Sequence, residues 1–243
     1  MKSMRRGSGL VLGLLWLLMA DLATAGDYMM MVGKGFEVCE AYLKNLNSFP
    51  NHPPMVCDRP LNPKLKEFSK PAWQQVDILQ NFDLLGKIEQ TLRGMTDEQW
   101  NQQSEQWEMK VRERVASGWL GMSTTGVDVD RDGNGEQVLR YVNDPGGCDP
   151  KNQATYSTPS GSKLFALTPD HRGLDVWKSG NFNHIGGRPE LFLFKDQVYL
   201  TTWAGGPNFR GGELWVLTPN HVPGMDKQTC KFTYKLSSQR RHQ

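Results

Sequence analysis

Asp128, Asp130, Asp132, Asn134 and Glu136 alternate through the stretch Asp128-Val129-Asp130-Arg131-Asp132-Gly133-Asn134-Gly135-Glu136, with Gly133 placed where the chain must turn sharply. Oxygen donors at every second position of a tight loop are the ligand set of a hard cation such as calcium. The opposed reading is a solvated acidic turn, in which water and salt screen the repulsion between carboxylates. An EF-hand is excluded. Counted from Asp128, the position that needs a bidentate Glu is Leu139, and residues 137–142 alternate like a strand where an EF-hand continues as helix.

The pattern D-x-D-x-D-G-x-G-E followed by Val138-Leu139-Arg140-Tyr141 resembles the calcium loop of FG-GAP (VCBS-like) and related β-propeller repeats, over about fifteen residues. The resemblance implies a structural Ca2+ bound by the side chains of Asp128, Asp130 and Asp132, the backbone carbonyl of Asn134 and the carboxylate of Glu136, with Arg131 pointing outward. The chain has one such loop, and Glu136 stands where that family usually has Asp. Combined with the segment Cys39-Glu40-Ala41-Tyr42-Leu43-Lys44-Asn45-Leu46, the loop also resembles exported bacterial proteins, which implies a compartment and no activity.

Enzyme chemistry would have to start from histidine. His171, His184 and His221 lie in the second half, near Asp170, Asp175, Arg188, Glu190 and Asp226. Two of them fall in a recurring Thr-Pro-Asp/Asn-His turn, where a loop hydrogen-bonding role is the simpler reading, so no catalytic residue is assigned. The chain has no G-x-S-x-G, H-E-x-x-H or reactive-cysteine signature. A two-carboxylate glycosidase needs no local motif, and an exported hydrolase acting on cell-wall or carbohydrate substrate therefore stays open as the alternative function. Recognition is better served by Trp203–Gly212, where glycines on both sides present Phe209 and Arg210, residue types enriched at binding hot spots. A second such loop carries His184 and Arg188.

Positioning these groups requires an exported, cross-linked chain. Lys2, Arg5 and Arg6, an apolar run from Leu10 to Met19, and Ala23-Thr24-Ala25 describe a signal peptide over residues 1–25. The run is too short to span a bilayer, and no later stretch could cross one. Without that segment the 28 Lys+Arg fall to 25 and the 26 Asp+Glu to 25, so the mature chain is formally neutral and its charge points to no nucleic-acid partner. The expected location is periplasmic or extracellular. Cys39, Cys57, Cys148 and Cys230 all lie in the exported part, an even number that favours two disulfides over zinc. Of the three pairings, Cys39–Cys57 with Cys148–Cys230 would staple each of two compositionally distinct regions.

The first region, residues 26–118, reads as helical and irregular. Phe36, Cys39, Leu43 and Leu46 recur at helical spacing, and a proline-rich segment from Pro50 to Pro63 follows. Helices are expected over Asn81–Arg93 and from Thr96, where Thr96 and Gln99 form a capping-box pattern, to Gly118. Trp100, Trp107, Val111 and Val115 make its apolar stripe. The second region, 119–243, reads as antiparallel β: strands at Trp119–Thr124, Gln137–Val142, Leu164–Leu167, Leu191–Phe194, Val198–Trp203, Glu213–Leu217 and Lys231–Lys235, with a hairpin turn at Lys195-Asp196-Gln197.

An internal echo joins Leu164-Phe165-Ala166-Leu167-Thr168-Pro169-Asp170-His171 to Leu214-Trp215-Val216-Leu217-Thr218-Pro219-Asn220-His221, which reads as a duplicated strand and turn. The fold class that follows is α+β: a helical, proline-rich N-terminal part, then an antiparallel β-rich domain built as a sheet, a sandwich or a partial propeller. The function that follows is an exported, calcium-binding, non-catalytic module for a cell-envelope protein partner, of an inhibitor or immunity type.

Overall fold

A computed structural model describes residues 27–49, 59–143, 161–182, 189–204, 213–219 and 227–235. In chain order the elements are β1 (Asp27–Val32), α1 (Glu37–Leu46), β2 (Phe68–Ser69), β3 (Gln74–Gln75), α2 (Phe82–Arg93), α3 (Asp97–Ala116), β4 (Leu120–Val127), β5 (Glu136–Asn143), β6 (Gly161–Leu167), β7 (Leu174–Asp175), α4 (Val176–Ser179), β8 (Glu190–Phe194), β9 (Gln197–Ala204), β10 (Glu213–Thr218) and β11 (Lys227–Lys235). They make a six-stranded sheet in the order β1-β11-β10-β9-β8-β2 and a five-stranded sheet in the order β3-β4-β5-β6-β7. The paired strands run antiparallel in both sheets.

The period-two pattern of the strands shows how the layers stack. In β9, Val198 and Leu200 join a cluster with Val127, Val138, Leu164 and Ala166 of the other sheet, while Tyr199 turns to the opposite face and packs beneath α1. In β6, Leu164 and Ala166 point between the sheets, and Phe165 and Leu167 point to a core shared with Leu84, Leu85 and Ile88 of α2. Two sheets thus face each other across one apolar core, and each outer face is covered by helix: α1 on the six-stranded sheet, α2 and α3 on the five-stranded one. This is a helix-flanked sandwich arrangement, not the blades of a propeller.

The helices form where local signals are strongest. Thr96 Oγ1 accepts the Gln99 N–H at 3.3 Å, and Gln99 Oε1 accepts the Thr96 N–H at 2.9 Å, completing the expected capping box of α3. Of its stripe, Val111 is buried, Trp107 and Val115 are partly buried, and Trp100 packs on Trp107 with ring centroids 4.7 Å apart. α2 reaches that pair through Gly86, where an added Cβ would stand 3.1 Å from the Trp100 ring.

Three expectations are corrected. First, the stretch before residue 118 supplies strands as well as helices: β1 pairs with β11, β2 with β8, and β3 with β4, so the two compositional regions interleave. β1 is a run of methionines with no polar alternation, which hides it from a pattern search. Second, the disulfide is Cys39–Cys230, across a sequence separation of 191, and not Cys39–Cys57 or Cys148–Cys230. Pairing β1 with β11 lays α1 over the C-terminal strand, and both cysteines are fully buried there with their Cα atoms 5.6 Å apart. Cys57 and Cys148 lie outside the described residues. Third, the internal echo is not a duplicated unit. Leu164 and Ala166 face the core between the sheets, whereas their counterparts Leu214 and Val216 face α1.

Closing a loop of that length restricts the unfolded chain by about 5 kcal/mol on the chain-entropy model. Peptide mapping without reduction is expected to return Cys39 linked to Cys230. Replacing both by Ser should lower the unfolding free energy by about 2–5 kcal/mol in guanidinium titration. Recovery of Cys39 linked to Cys57 would contradict this fold.

Candidate functional site

β4 and β5 form a hairpin in which Val127 pairs with Glu136, so the acidic stretch is its connection. The chain turns back through left-handed backbone at Arg131 (φ 61°) and Gly133 (φ 90°). Carboxylates organise the turn by accepting backbone N–H groups. Asp128 takes Asp132 N at 3.1 Å and Gly133 N at 3.0 Å, and Asp132 takes Asn134 N at 2.7 Å. Glu136 reaches back to Val129 N at 2.8 Å. The hydrogen bond from the Asn134 N–H holds the Asp132 carboxyl below the usual carboxylate range.

Asp128, Asp130 and Glu136 each bring one oxygen into a group whose members lie within 4.8 Å of one another. Asp132 is not in the group. Asn134, expected to contribute its backbone carbonyl, is exposed in the same turn. A cation is already present in covalent form: Lys178 Nζ lies 2.6 Å from Glu136 Oε1 and 3.2 Å from Asp130 Oδ2. The hydrogen bond to Glu136, followed by that to Asp130, holds this ammonium well above the usual lysine range against the opposing effect of burial. The three oxygens suit a hard cation in type, and Lys178 is the group such an ion would have to displace.

Arg131 does not simply point outward. Its guanidinium donates to the Val198 carbonyl at 3.4 Å and lies 5.1 Å from the centre of the Tyr199 ring, tying the loop to β9.

The histidine turn is built from hydrogen bonds. Thr168 Oγ1 donates to Asp170 Oδ1 at 2.6 Å and accepts Gly173 N at 3.0 Å; Asp170 also accepts Arg172 N at 3.1 Å. His171, the one histidine among the described residues, is exposed at its apex with φ 60°. Asp175 accepts Lys178 N at 2.9 Å and caps α4. Glu190 accepts Arg59 N at 3.1 Å and forms an ion pair with that guanidinium at 3.7 Å. His184, Arg188, Phe209, Arg210, His221 and Asp226 lie outside the described residues.

Two buried polar clusters carry no sequence motif. Arg59, 2% exposed, donates from Nε to Thr201 Oγ1 at 2.8 Å and from its terminal nitrogen to the Thr201 carbonyl at 3.2 Å. Tyr42 is buried in the same region; burial drives its hydroxyl pKa upward and Arg59 opposes the shift. Under α2, Glu89 accepts the Tyr141 hydroxyl and pairs with Arg93 at 3.1 Å. Burial and the Glu89 hydrogen bond raise the Tyr141 pKa. The bonds that tie each cluster to a strand, Arg59 to Thr201 and Tyr141 to Glu89, join residues 142 and 52 positions apart and leave no local signal from which either cluster could be read.

No protein-family model matches the chain, and the searches of curated proteins and of solved structures returned no match. The site is therefore read from its own geometry.

Lys178→Met should remove the cation shared by Asp130 and Glu136. Lys178 is 38% exposed, so the cost is expected to be about 1 kcal/mol after solvent screening. The sign with pH follows from a raised folded pKa: the lysine's contribution is full below its ordinary range and is lost as pH rises through the folded value. The difference between variant and parent should hold from about pH 7 to pH 10 and close only in stronger alkali, as read by urea titration. Arg59→Ala leaves Glu190 without its buried partner and should cost about 3 kcal/mol in the same assay.

Proposed function

We propose that the chain is an exported, non-catalytic binding protein of the cell envelope whose acidic loop takes calcium as a structural ion. The observation that carries the metal reading is the convergence of Asp128, Asp130 and Glu136 on one point of a strand-flanked loop. When bound, the ion would neutralise these carboxylates. The chain's own contribution is the frame: backbone N–H groups orient Asp128 and Glu136, and the β4–β5 pairing sets their separation. Export is supported by the buried Cys39–Cys230 disulfide, a cross-link of oxidising compartments, together with the signal-peptide pattern of residues 1–25. Among the described residues no helix is long and apolar enough to cross a membrane.

The binding role, in preference to catalysis, is supported by how the candidate acids are used. Asp170 and Asp175 accept backbone N–H groups, and Glu190 is paired with Arg59. The glycine-flanked Phe209 and Arg210, with His184 and Arg188, remain the loops proposed to meet an envelope protein partner.

Calorimetry with calcium, on the parent and on Lys178→Met, tests the metal. Calcium at about a hundredfold over its Kd should add about 2.7 kcal/mol to native stability, and the variant, freed of its internal competitor, should bind more tightly. No heat and no rise in Tm in either protein would sink the calcium reading. Turnover of a cell-wall glycan by the purified chain would sink the non-catalytic one.

A further inference from the structure

The loop between β4 and β5 holds the chain's one Asp–Gly step, Asp132–Gly133, and its one Asn–Gly step, Asn134–Gly135. Before glycine, a side-chain carbonyl is open to attack by the next backbone nitrogen, because glycine has no Cβ to obstruct the approach or to restrict the rotation it needs. The structure treats the two steps differently.

At Asp132–Gly133 both reacting groups are engaged. The Gly133 N–H is donated to Asp128 Oδ2 at 3.0 Å, and the Asp132 carboxyl accepts the Asn134 N–H at 2.7 Å. That bond also keeps Asp132 ionised, and a carboxylate is a poor electrophile. At Asn134–Gly135 neither constraint applies. Asn134 carries a neutral carboxamide, both residues are exposed, and the Gly135 N–H donates to no acceptor among the described residues. The atom nearest to where a Gly135 Cβ would stand is Val127 N at 3.9 Å, so the backbone has room to turn. The side-chain bond between Asn134 and Asp132 is given by the amide nitrogen, which leaves the carbon beside it unprotected.

We propose that Asn134 is a site of spontaneous deamidation, with water as the one co-reactant. The Gly135 nitrogen gives its proton to solvent and bonds to Asn134 Cγ; the Cγ–Nδ2 bond breaks, and the nitrogen takes a proton from solvent and leaves as ammonia. Water then opens the cyclic imide at one carbonyl or the other. One opening leaves aspartate, and the other leaves isoaspartate, with the main chain rerouted through the side-chain carbon. The exposure of both residues supplies the water. Either product adds a carboxylate to a loop in which Asp130 and Glu136 already share the ammonium of Lys178. Isoaspartate also lengthens the path into Glu136, the residue that reaches Val129 N and Lys178. The loop therefore becomes more acidic, and its hold on α4 loosens, as the protein ages. This inference needs neither calcium nor a protein partner.

The test ages the purified full chain at mildly alkaline pH with a chelator present, digests it briefly with trypsin in mild acid, and follows the peptide Asp132–Arg140 by mass spectrometry. Asn134 is the sole asparagine of that peptide. It is expected to gain the mass of an amide-to-acid exchange faster than any other asparagine peptide, and to split into two chromatographic forms. Gly135→Ala should slow the gain by about tenfold, equivalent to about 1.4 kcal/mol in the barrier, and Asn134→Gln should abolish it. Both variants keep the fold, as equal Tm values verify: Gly135 lies outside left-handed backbone with space for a methyl group, and Asn134 is exposed. An Asn134 amide that stays intact while other asparagines react overturns the proposal. So does an equal rate in Gly135→Ala, or the same mass gain in Asn134→Gln, which would place the reaction on Gln137.

Discussion

The whole arrangement hangs on the first described strand being the neighbour of the last. Among the described residues β1 ladders with β11 alone, from Asp27 opposite Lys235 through Val32 opposite Lys231. Once it is in place, α1 folds back over the same sheet and brings Cys39 to Cys230. The approach is close enough to dictate the residue at the turn between β1 and α1. A Cβ on Gly33 would stand 2.5 Å from Cys39 Sγ, and the backbone there has φ 102°. The far end of α1 also returns to the strand. Asn47 Oδ1 accepts Tyr28 N at 2.9 Å and its Nδ2 donates to the Tyr28 carbonyl at 3.0 Å, so a side-chain amide does what a further strand would do. The edge is thereby blunted at that point against pairing with another chain.

Covering both outer faces with helix has a cost in polar groups, and two charges buried on those faces, Arg59 and Glu89, show how it is met. Arg59 and Glu89 are each nearly inaccessible, and each lies on a helix-covered face, not between the sheets. Arg59 reaches the backbone and hydroxyl of Thr201 in β9, and Glu89 accepts from Tyr141 in β5. Both bonds join a strand to an element outside its sheet. A slip of one residue in either strand would turn Thr201 or Tyr141 to the opposite face and leave a charge buried alone, a penalty of several kcal/mol. The apolar contacts alone would penalise such a slip less, because these strands are apolar on both sides.

That same two-sided burial set the limits of what could be read from the chain. The strands β4–β6 and β8–β11 are visible as apolar runs, the Lys195-Asp196 turn between β8 and β9 takes positive φ at both residues, and the capping box of α3 is local by nature. Their assembly is not local. A strand apolar on both faces does not disclose which face meets helix and which meets sheet, and for that reason the Leu-aromatic-small-Leu echo looked like a repeat while its two copies face opposite ways. β2, β3 and β7 are two residues long and carry no period at all. The disulfide and the Lys178 contacts depend on pairings across long stretches of sequence. In the acidic loop, alternation correctly marks residues of one turn. It does not separate Asp128, Asp130 and Glu136, whose oxygens converge, from Asp132, which is occupied with the backbone of Asn134.

The acidic loop then has a role that does not wait on any ion. Successive residues at its tip carry opposite charge and are pulled to different parts of the molecule: Asp130 to Lys178 of α4, and Arg131 to the Val198 carbonyl and Tyr199 ring of β9. The hairpin belongs to the five-stranded sheet and β9 to the six-stranded one, so the loop is a polar clamp at the rim of the apolar core between them. Exposed pairs are weak singly, but Glu136 and Asp130 are only 8% and 14% exposed, and that shelter raises the worth of the shared ammonium. Whatever cation satisfies Asp130 and Glu136, lysine or metal, must therefore act on α4 as well, because releasing Lys178 frees one of the contacts that keep α4 in place.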